Sequence, residues 1–484
     1  MKLISAALSL YPRLAGPGLL LVGLLLGSLP APAQQPRELP QVPQPLTLPQ
    51  ALQMAQTNYP ALRARQAGVV AATADVRTVR ANYLPQLTAQ AQALNGTSNQ
   101  VRGALLGGVG ITESGVRDFT SSQAAWTSQG MLYIDWPAVT FGRYRADVQR
   151  AQTLVSQAQA DYDQELFTHQ AQVADAYLLA LAAQKAVALQ QANLRRSQAV
   201  QRVVRAGTQA GIQAGIDSST ANAETSRARL QLLASRQQAE QQRGRLAGLL
   251  GTPVQTLLLT DSTQFFARLP VLPAGADTAS LRFHPTLRAY QQRVASSEAL
   301  ANSLATNKRP TLSVVGATWD RGSGTASAAS ADGTFAIDPS LGAGLPFKVY
   351  NYAVGAALTW RVTELIHTKR AMAAQQARST QAQADYDQQA LQLRTEQQNA
   401  QLQLELVRQA AQEAPVQLDA ARRVYTQAQA RYNAGLDNLV VLTQAALVLN
   451  RAENDQAIAV NNVWRALLLR AATSGNLAPL LGQL

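Results

Sequence analysis

Gln157-Ala158-Gln159-Ala160-Asp161-Tyr162-Asp163-Gln164 spells QAQADYDQ, and the same eight letters return at 381–388, 224 residues later. At that spacing Trp136 maps onto Trp360, Ala210-Gly211 onto Ala434-Gly435, and Gly251 onto Gly475. Near the start of each half the shift is 225. There Pro60-Ala61-Leu62-Arg63-Ala64 matches Pro285-Thr286-Leu287-Arg288-Ala289, and Pro85 matches Pro310. In a chain rich in Ala and Gln, one repeated octapeptide is weak evidence. The other landmarks keep step with it, so the chain is one unit written twice rather than a string of unlike domains.

Around the octapeptide the chain reads as very long helix. Arg143 to about Arg205 holds neither Pro nor Gly, and its counterpart, about Thr368 to Ala434, holds only Pro415. At 1.5 Å per residue such a stretch is about 95 Å long, far beyond a usual globular helix. Pro415 should kink its helix or mark a change of packing. A turn bearing Gly207, Gly211 and Gly215, or Gly435 in the second half, leads to a second helix that ends at Gly251 or Gly475. The apolar stripe is built from Ala, Leu and Val, as closely packed helices require.

Upstream of each long helix lie a shorter helix and two strands. The helices run from Pro60 to about Tyr83 and from Pro285 to about Asn307, with Pro in the first turn, where its missing N–H costs nothing. Strands are expected at Gln86–Leu94, Trp126–Trp136, Leu312–Trp319 and Tyr350–Trp360, because each alternates between its two faces. Leu87, Ala89, Ala91 and Ala93 share one face of the first; Gln86, Thr88, Gln90 and Gln92 share the other. The joining segments, 95–123 and 321–349, are rich in Gly, Ser and Ala and read as long surface loops.

The expected boundaries are a signal peptide at 1–33, an extended leader at 34–47, a first repeat at 48–258, an equatorial linker at 259–283, a second repeat at 284–475 and a tail at 476–484. The first repeat holds a β-hairpin at 86–136 and a helical hairpin at 143–251; the second holds them at 311–360 and 364–475. The signal rests on Lys2, Arg13, the short apolar run Leu19–Leu29 and the small residues of Ala31-Pro32-Ala33. The leader carries Pro36, Pro40, Pro43 and Pro45, an extended pattern.

Composition narrows the chemistry. There is no cysteine, which removes disulfides, thiolate metal sites, cysteine nucleophiles and a lipidated N-terminal Cys. The three histidines, His169, His284 and His367, are scattered. No Gly-x-Ser-x-Gly, His-Glu-x-x-His or Walker-type loop occurs, so no enzyme, no catalytic or metal residue and no cofactor is expected. The net charge is +13, but the arginines are dispersed, which argues against a nucleic-acid partner.

Strands of about nine to eleven residues with one apolar face suit a tilted membrane strand. Trp136 and Trp360 sit where interfacial aromatics would anchor them. Four strands cannot close a barrel with a lumen, and lipid does not tolerate an open edge, so the barrel must be shared among chains. The competing reading is a secreted or periplasmic coiled-coil structural or adhesin-like protein, which has no use for such hairpins.

The order of parts resembles the TolC-type outer-membrane efflux protein family. So do local residues: Leu46-Thr47-Leu48, Asn58-Tyr59-Pro60-Ala61-Leu62, Tyr83-Leu84-Pro85-Gln86-Leu87, Phe141-Gly142-Arg143 after Trp136, and Arg431-Tyr432-Asn433-Ala434-Gly435-Leu436. The resemblance implies a mixed fold class, long α-helical hairpins forming a periplasmic α-barrel plus four strands per chain in a shared twelve-stranded β-barrel. It implies a homotrimer in outer-membrane lipid and a belt formed by 252–283 with the terminal arms. It further implies a channel subunit of a tripartite efflux or type I secretion system, docking a periplasmic adaptor that leads to an inner-membrane pump.

The resemblance places the periplasmic aperture and adaptor docking at Gly211, Asp217, Arg431, Gly435, Asp437, Val441 and Gln444. Relatives that bind cations there carry acids where this chain has Val441 and Gln444, so no acidic ring is expected. Arg202, Arg205, Arg422, Arg423 and Arg431 flank the turns instead; they read first as a solvated helix face, with a basic mouth as the sharper alternative. Phe141-Gly142-Arg143 has no second copy; Leu365-Ile366-His367 stands there, and His367 is expected at a surface.

Overall fold

The computed structural model describes residues 45–97, 122–211, 213–254, 257, 259, 265–266, 269–270, 281–330 and 335–481. The expected signal peptide, most of the leader and most of the loop 95–123 lie outside them.

Helix α1 (Leu48–Asn58) opens with the Gln50 side chain accepting a hydrogen bond from the Thr47 N–H at 3.0 Å, which ties the start of the helix to the residue before it. The sequence reading began its first helix at Pro60 and assigned none to 48–58. Helix α2 (Pro60–Ala81) follows with Pro at its first position, as expected. Strands β1 (Gln86–Gly96) and β2 (Ala125–Val139) form the first hairpin. Helix α3 (Arg143–Gln209) has 67 residues and α4 (Gly215–Leu250) has 36. The second half repeats the pattern: α5 (Pro285–Ala305), β3 (Thr311–Ser323), short strands β4 (Thr325–Ala329) and β5 (Phe335–Ile337), and the single turn α6 (Leu341–Gly344). Then come β6 (Val349–Thr359), α7 (Glu364–Asn433, 70 residues), α8 (Leu439–Ser474) and the short α9 (Ala478–Leu481).

The two β-hairpins join into one antiparallel sheet, in the order β1-β2-β3-β6. The register brings Leu87, Ile134, Gly316 and Val354 side by side across it. Period-two alternation then puts Leu132, Ile134, Trp136, Val314, Leu358 and Tyr352 on that same face, where all six are exposed. Val354 is 82% exposed, a large cost in water for a β-branched apolar side chain. Gln92 and Gln129 lie on the opposite face, hydrogen-bonded to each other at 3.0 Å.

Two expectations need correction here. Strand β2 does not end at Trp136. It runs on to Val139 through a bulge, which accommodates Pro137 where a regular ladder would need its N–H. The segment 321–349 is not a plain surface loop. It holds β4, β5 and α6, and folds back on β2: the Ser128 hydroxyl donates to the Leu345 carbonyl at 2.9 Å, and the Phe347 ring lies over Gly130.

Helices α3 and α4 pair as one antiparallel hairpin and α7 and α8 as the other, with α3 also against α8. The main core lies partway down them and is closed by the terminal segments. It gathers Leu178 and Tyr177 of α3, Leu250 of α4, Trp464 and Leu467 of α8, and Leu48 and Leu52 of α1. Leu46, fully buried, pairs with Leu259 and accepts a hydrogen bond on its carbonyl from the Tyr177 hydroxyl. Partly buried Phe265 and Phe266 pack on the same core.

Helix α7 runs through Pro415, whose missing N–H leaves the Ala411 carbonyl without its usual helical donor. The neighbours change across it: Leu404 and Ala411 belong to the main core, whereas Leu418 and Ala421 pack with Leu449 and Ala452. Among the described residues, no helix is long and apolar enough to cross a membrane.

Candidate functional site

The far ends of the two helical hairpins come together. Helix α3 ends at Gln209 and α7 at Asn433, and each is followed by Ala and then a left-handed Gly. Gly211 has φ +71° and Gly435 has φ +73°, a region closed to most side chains. Val204 of α3, Ala221 of α4 and Leu439 of α8 form a small buried cluster beneath the turns, with Tyr432 against it. The Gln213 amide donates to the Tyr432 hydroxyl at 3.0 Å and so links the first turn to the second.

The two turns reverse the chain by different chemistry. In the second, Arg431 grips Asp437 with two bonds, Nε–Oδ2 at 2.7 Å and Nη2–Oδ1 at 3.1 Å. The hydrogen bond from Arg431 holds the Asp437 carboxyl below the usual carboxylate range. Asn438 then caps α8, its side chain accepting from the Val441 N–H at 3.1 Å. The equivalents in the first turn are Gly207, Gln213 and Ala214. Gly207 lies within α3 rather than in the turn, and the Gln213 side chain occupies the space a larger residue would need. No side chain caps α4, which begins at Gly215.

These contacts bear on the basic-mouth alternative. Arg431 is neutralised by Asp437 and Arg423 pairs with Asp419, leaving Arg202, Arg205 and Arg422 as the exposed flanking arginines without an ion pair among the described residues. Asp217 is half-buried in the first turn of α4; Val441 and Gln444 are exposed on α8. The structure therefore brings Arg431 and Asp437 into contact, and adds Gln213 and Tyr432, which sequence reasoning missed. The Arg431–Asp437 pair had a local signal, a donor and an acceptor six residues apart across a glycine turn, whereas Gln213 and Tyr432 lie 219 residues apart and had none.

Above the tip, a groove of about 550 Å³ runs between α3, α7 and α8, lined by Arg195, Val203, Tyr425, Tyr432 and Leu442. Arg196 crosses it to Glu453 with bonds of 3.1 and 2.7 Å, and both partners are mostly buried. Burial pushes the Tyr425 hydroxyl pKa up, so the groove presents a neutral phenol.

At the other end of the helices lies the junction with the sheet. Trp136 is 43% and Trp360 54% exposed, and the Trp360 indole donates to the Lys308 carbonyl at 3.1 Å. Phe141 and Gly142 turn the chain from β2 into α3 with φ of +48° and +96°. Arg309 donates to the Phe141 carbonyl, and Arg143 donates to the Asn307 side chain at 2.7 Å. Asp147 accepts from the Tyr83 hydroxyl at 2.6 Å and from the Ser303 hydroxyl, joining α3 to α5 and to the segment between α2 and β1. The second half has no such turn: α7 begins at Glu364, and His367 lies exposed in its first turn.

His169 and His284 are buried in the helical body, His169 stacked on Tyr59 with ring centres 3.7 Å apart. Among the described residues, no group of three His, Cys, Asp or Glu is placed to hold a metal ion.

The chain matches the family model described as outer membrane efflux protein over residues 51–252 and 279–473, a segment for each repeat. No match is found among the curated proteins. Among solved structures, the outer-membrane channel OprN superposes with a TM-score of 0.70 at 24% identity, over 89% of this chain and 90% of that one. The Campylobacter jejuni CmeC outer membrane channel gives 0.70 at 14%, over 88% and 85%. The open state of the Neisseria gonorrhoeae MtrE outer membrane channel gives 0.66 at 18%, over 89% of each. At these identities the likeness is one of fold.

Proposed function

The chain belongs to the outer membrane efflux protein family, as an outer-membrane channel subunit that extends into the periplasm, and from that premise we propose that three copies close one pore. The observation that carries this is the sheet. It has four strands, free edges at β1 and β6 and an exposed apolar face. Lipid satisfies that face, but the edge N–H and C=O groups need another strand. Pairing β6 of one copy with β1 of the next gives twelve strands, a number that leaves a lumen. Each copy would add two helical hairpins of about 100 Å, from the 1.5 Å rise, to a tunnel below the barrel. A coiled-coil structural protein would leave the apolar face in water.

The tunnel's far end is the paired tip. Gly211, Asp217, Arg431, Gly435, Asp437, Val441 and Gln444 line it or stand beside it in this reading, and a periplasmic adaptor docks there, leading to an inner-membrane pump. Support comes from the two exposed left-handed glycines and the linked turns, which make a defined surface. Cargo passes through by diffusion and no covalent step is needed. Whether the cargo is a small molecule or a protein is a matter for the pump. The test is native mass measurement of the detergent-extracted protein, with single-channel recording in planar bilayers. A trimer with stable conductance is expected. A water-soluble monomer overturns the reading.

A further inference from the structure

The cations are dispersed along the sequence, but the fold gathers the surplus positive charge at one level. Four windows of eleven residues flank the sheet on its helical side: 75–85, 140–150, 301–311 and 360–370. Helix α2 contributes Arg77 and Arg80 near its end. Helix α3 contributes Arg143, Arg145 and Arg150 at its start. Lys308 and Arg309 precede β3, and Arg361, Lys369 and Arg370 follow β6. Against these ten cations stand Asp75, Asp147 and Glu364. Seven of the thirteen net positive charges thus sit in less than a tenth of the chain.

Nine of the ten cations are exposed, Arg143 being half-buried. None forms an ion pair among the described residues, whereas every ion pair found there lies further along the helices, from Arg65–Glu165 to Arg431–Asp437. The three carboxylates offset only three of the ten charges, and Asp147 accepts its hydrogen bonds from the neutral Tyr83 and Ser303 hydroxyls rather than from an arginine. By the 1.5 Å rise, Arg77, Arg150 and Arg370 all fall within about 11 Å of the helix ends that meet the sheet. The collar is level with the indoles that end the sheet's apolar face, because Trp360 donates directly to the Lys308 carbonyl. Exposed Leu84, Phe141, Val362 and Ile366 are interspersed with the cations.

Unpaired cations, interfacial tryptophans and exposed apolar side chains at one level are what a phosphate headgroup layer recognises. We propose that this collar binds the headgroups of the periplasmic leaflet of the outer membrane and selects anionic glycerophospholipids there. A headgroup zone of about 5–7 Å and a Debye length of about 8 Å bring the whole collar within electrostatic reach. Like charges crowded without partners would otherwise destabilise the junction, so the lipid phosphates supply the missing counter-charge.

This rests on the outer-membrane trimer reading, and the experiment separates the two. The full-length trimer is reconstituted into phosphatidylethanolamine vesicles containing about one-fifth phosphatidylglycerol, re-extracted in mild detergent, and its retained lipid weighed by mass spectrometry. Retained phosphatidylglycerol should be enriched several-fold over the vesicle composition, and the enrichment should fall toward one in about 0.5 M salt, which screens the attraction. Combining Arg77→Gln, Arg80→Gln, Arg361→Gln and Lys369→Gln should abolish it while the trimer persists. The charge-keeping Arg77→Lys and Arg80→Lys pair should preserve it. Wild-type lipid matching the vesicle composition overturns the proposal. So does a Gln variant whose pore selectivity shifts while its lipid stays enriched, since the cations would then line the lumen. Failure to embed as a trimer sinks the underlying reading instead.

Discussion

Gly435 and Gly475 share a backbone conformation but not a setting. Gly435 has φ +73° with no atom within 4 Å of where a Cβ would stand. Gly475 has φ +78°, and its Cβ would meet His284 Cδ2 at 2.9 Å and the His284 Cα at 3.0 Å. Gly435→Ala therefore carries only the left-handed penalty of about 1–2 kcal/mol. Gly475→Ala adds overpacking against backbone, for about 2–4 kcal/mol in total. Denaturant midpoints should rank the two variants in that order; equal losses would contradict the packing difference. Gly435→Asn should be nearly silent, because Asn tolerates this region, so a loss of adaptor docking there would report on the surface rather than on strain.

At the scale of elements, His284 joins the second repeat's first helix to its last. Its Nδ1 accepts from the Thr286 N–H at 3.2 Å, so the proton sits on Nε2 and is donated to the Ala472 carbonyl at 3.0 Å. The ring must be neutral to make both bonds, and burial lowers its pKa despite the hydrogen bond to Ala472 and the pull of Glu396. Burial lowers His169 likewise, against the attraction of Glu165. A folded pKa below the unfolded value of about 6.5 means that the unfolded chain binds more protons. Stability is then fully present above about pH 6.5 and declines as the pH falls below it. Thermal melts from pH 7.5 to 5 should show that decline. His284→Asn, which keeps a helix cap and cannot titrate, should reduce the slope. An unchanged slope would assign the acid loss to His169 or to carboxylates.

At the scale of the whole described chain, a sheet stands at one end of two long hairpins from residue 45 onward, and its exposed parts are unequal. Both inter-strand segments were expected to be long surface loops, but 335–347 is anchored on β2 by Ser128 and by the Phe347 ring over Gly130. Protease added to intact cells should therefore cut first within 95–123. It should cut 335–349 slowly or not at all, because cleavage needs a local opening that those contacts oppose. Fragment masses after limited digestion check this. Rapid cutting near 340, or any cutting within α3 or α7 in intact cells, would contradict the arrangement.

Much of this protein is written in local periods, and those were legible. The 224-residue repeat, the helix-length stretches free of Pro and Gly, the strict alternation of β1 and the glycines of the turns depend on near neighbours, so one pass along the chain finds them. Their joining depends on residues far apart. Strand β2 pairs with β3 across almost two hundred positions, Leu46 enters a core more than a hundred residues from Tyr177, and 335–347 settles on one face of β2. No period encodes such choices; burial and backbone hydrogen bonding select them once the chain is compact. The tip shows both sides. Gly211 and Gly435 could be placed from sequence, because positive φ favours glycine. That Arg431 is held by Asp437, and so does not charge the mouth, was decided by the three-dimensional turn, which alone brings a guanidinium and a carboxylate to 2.7 Å.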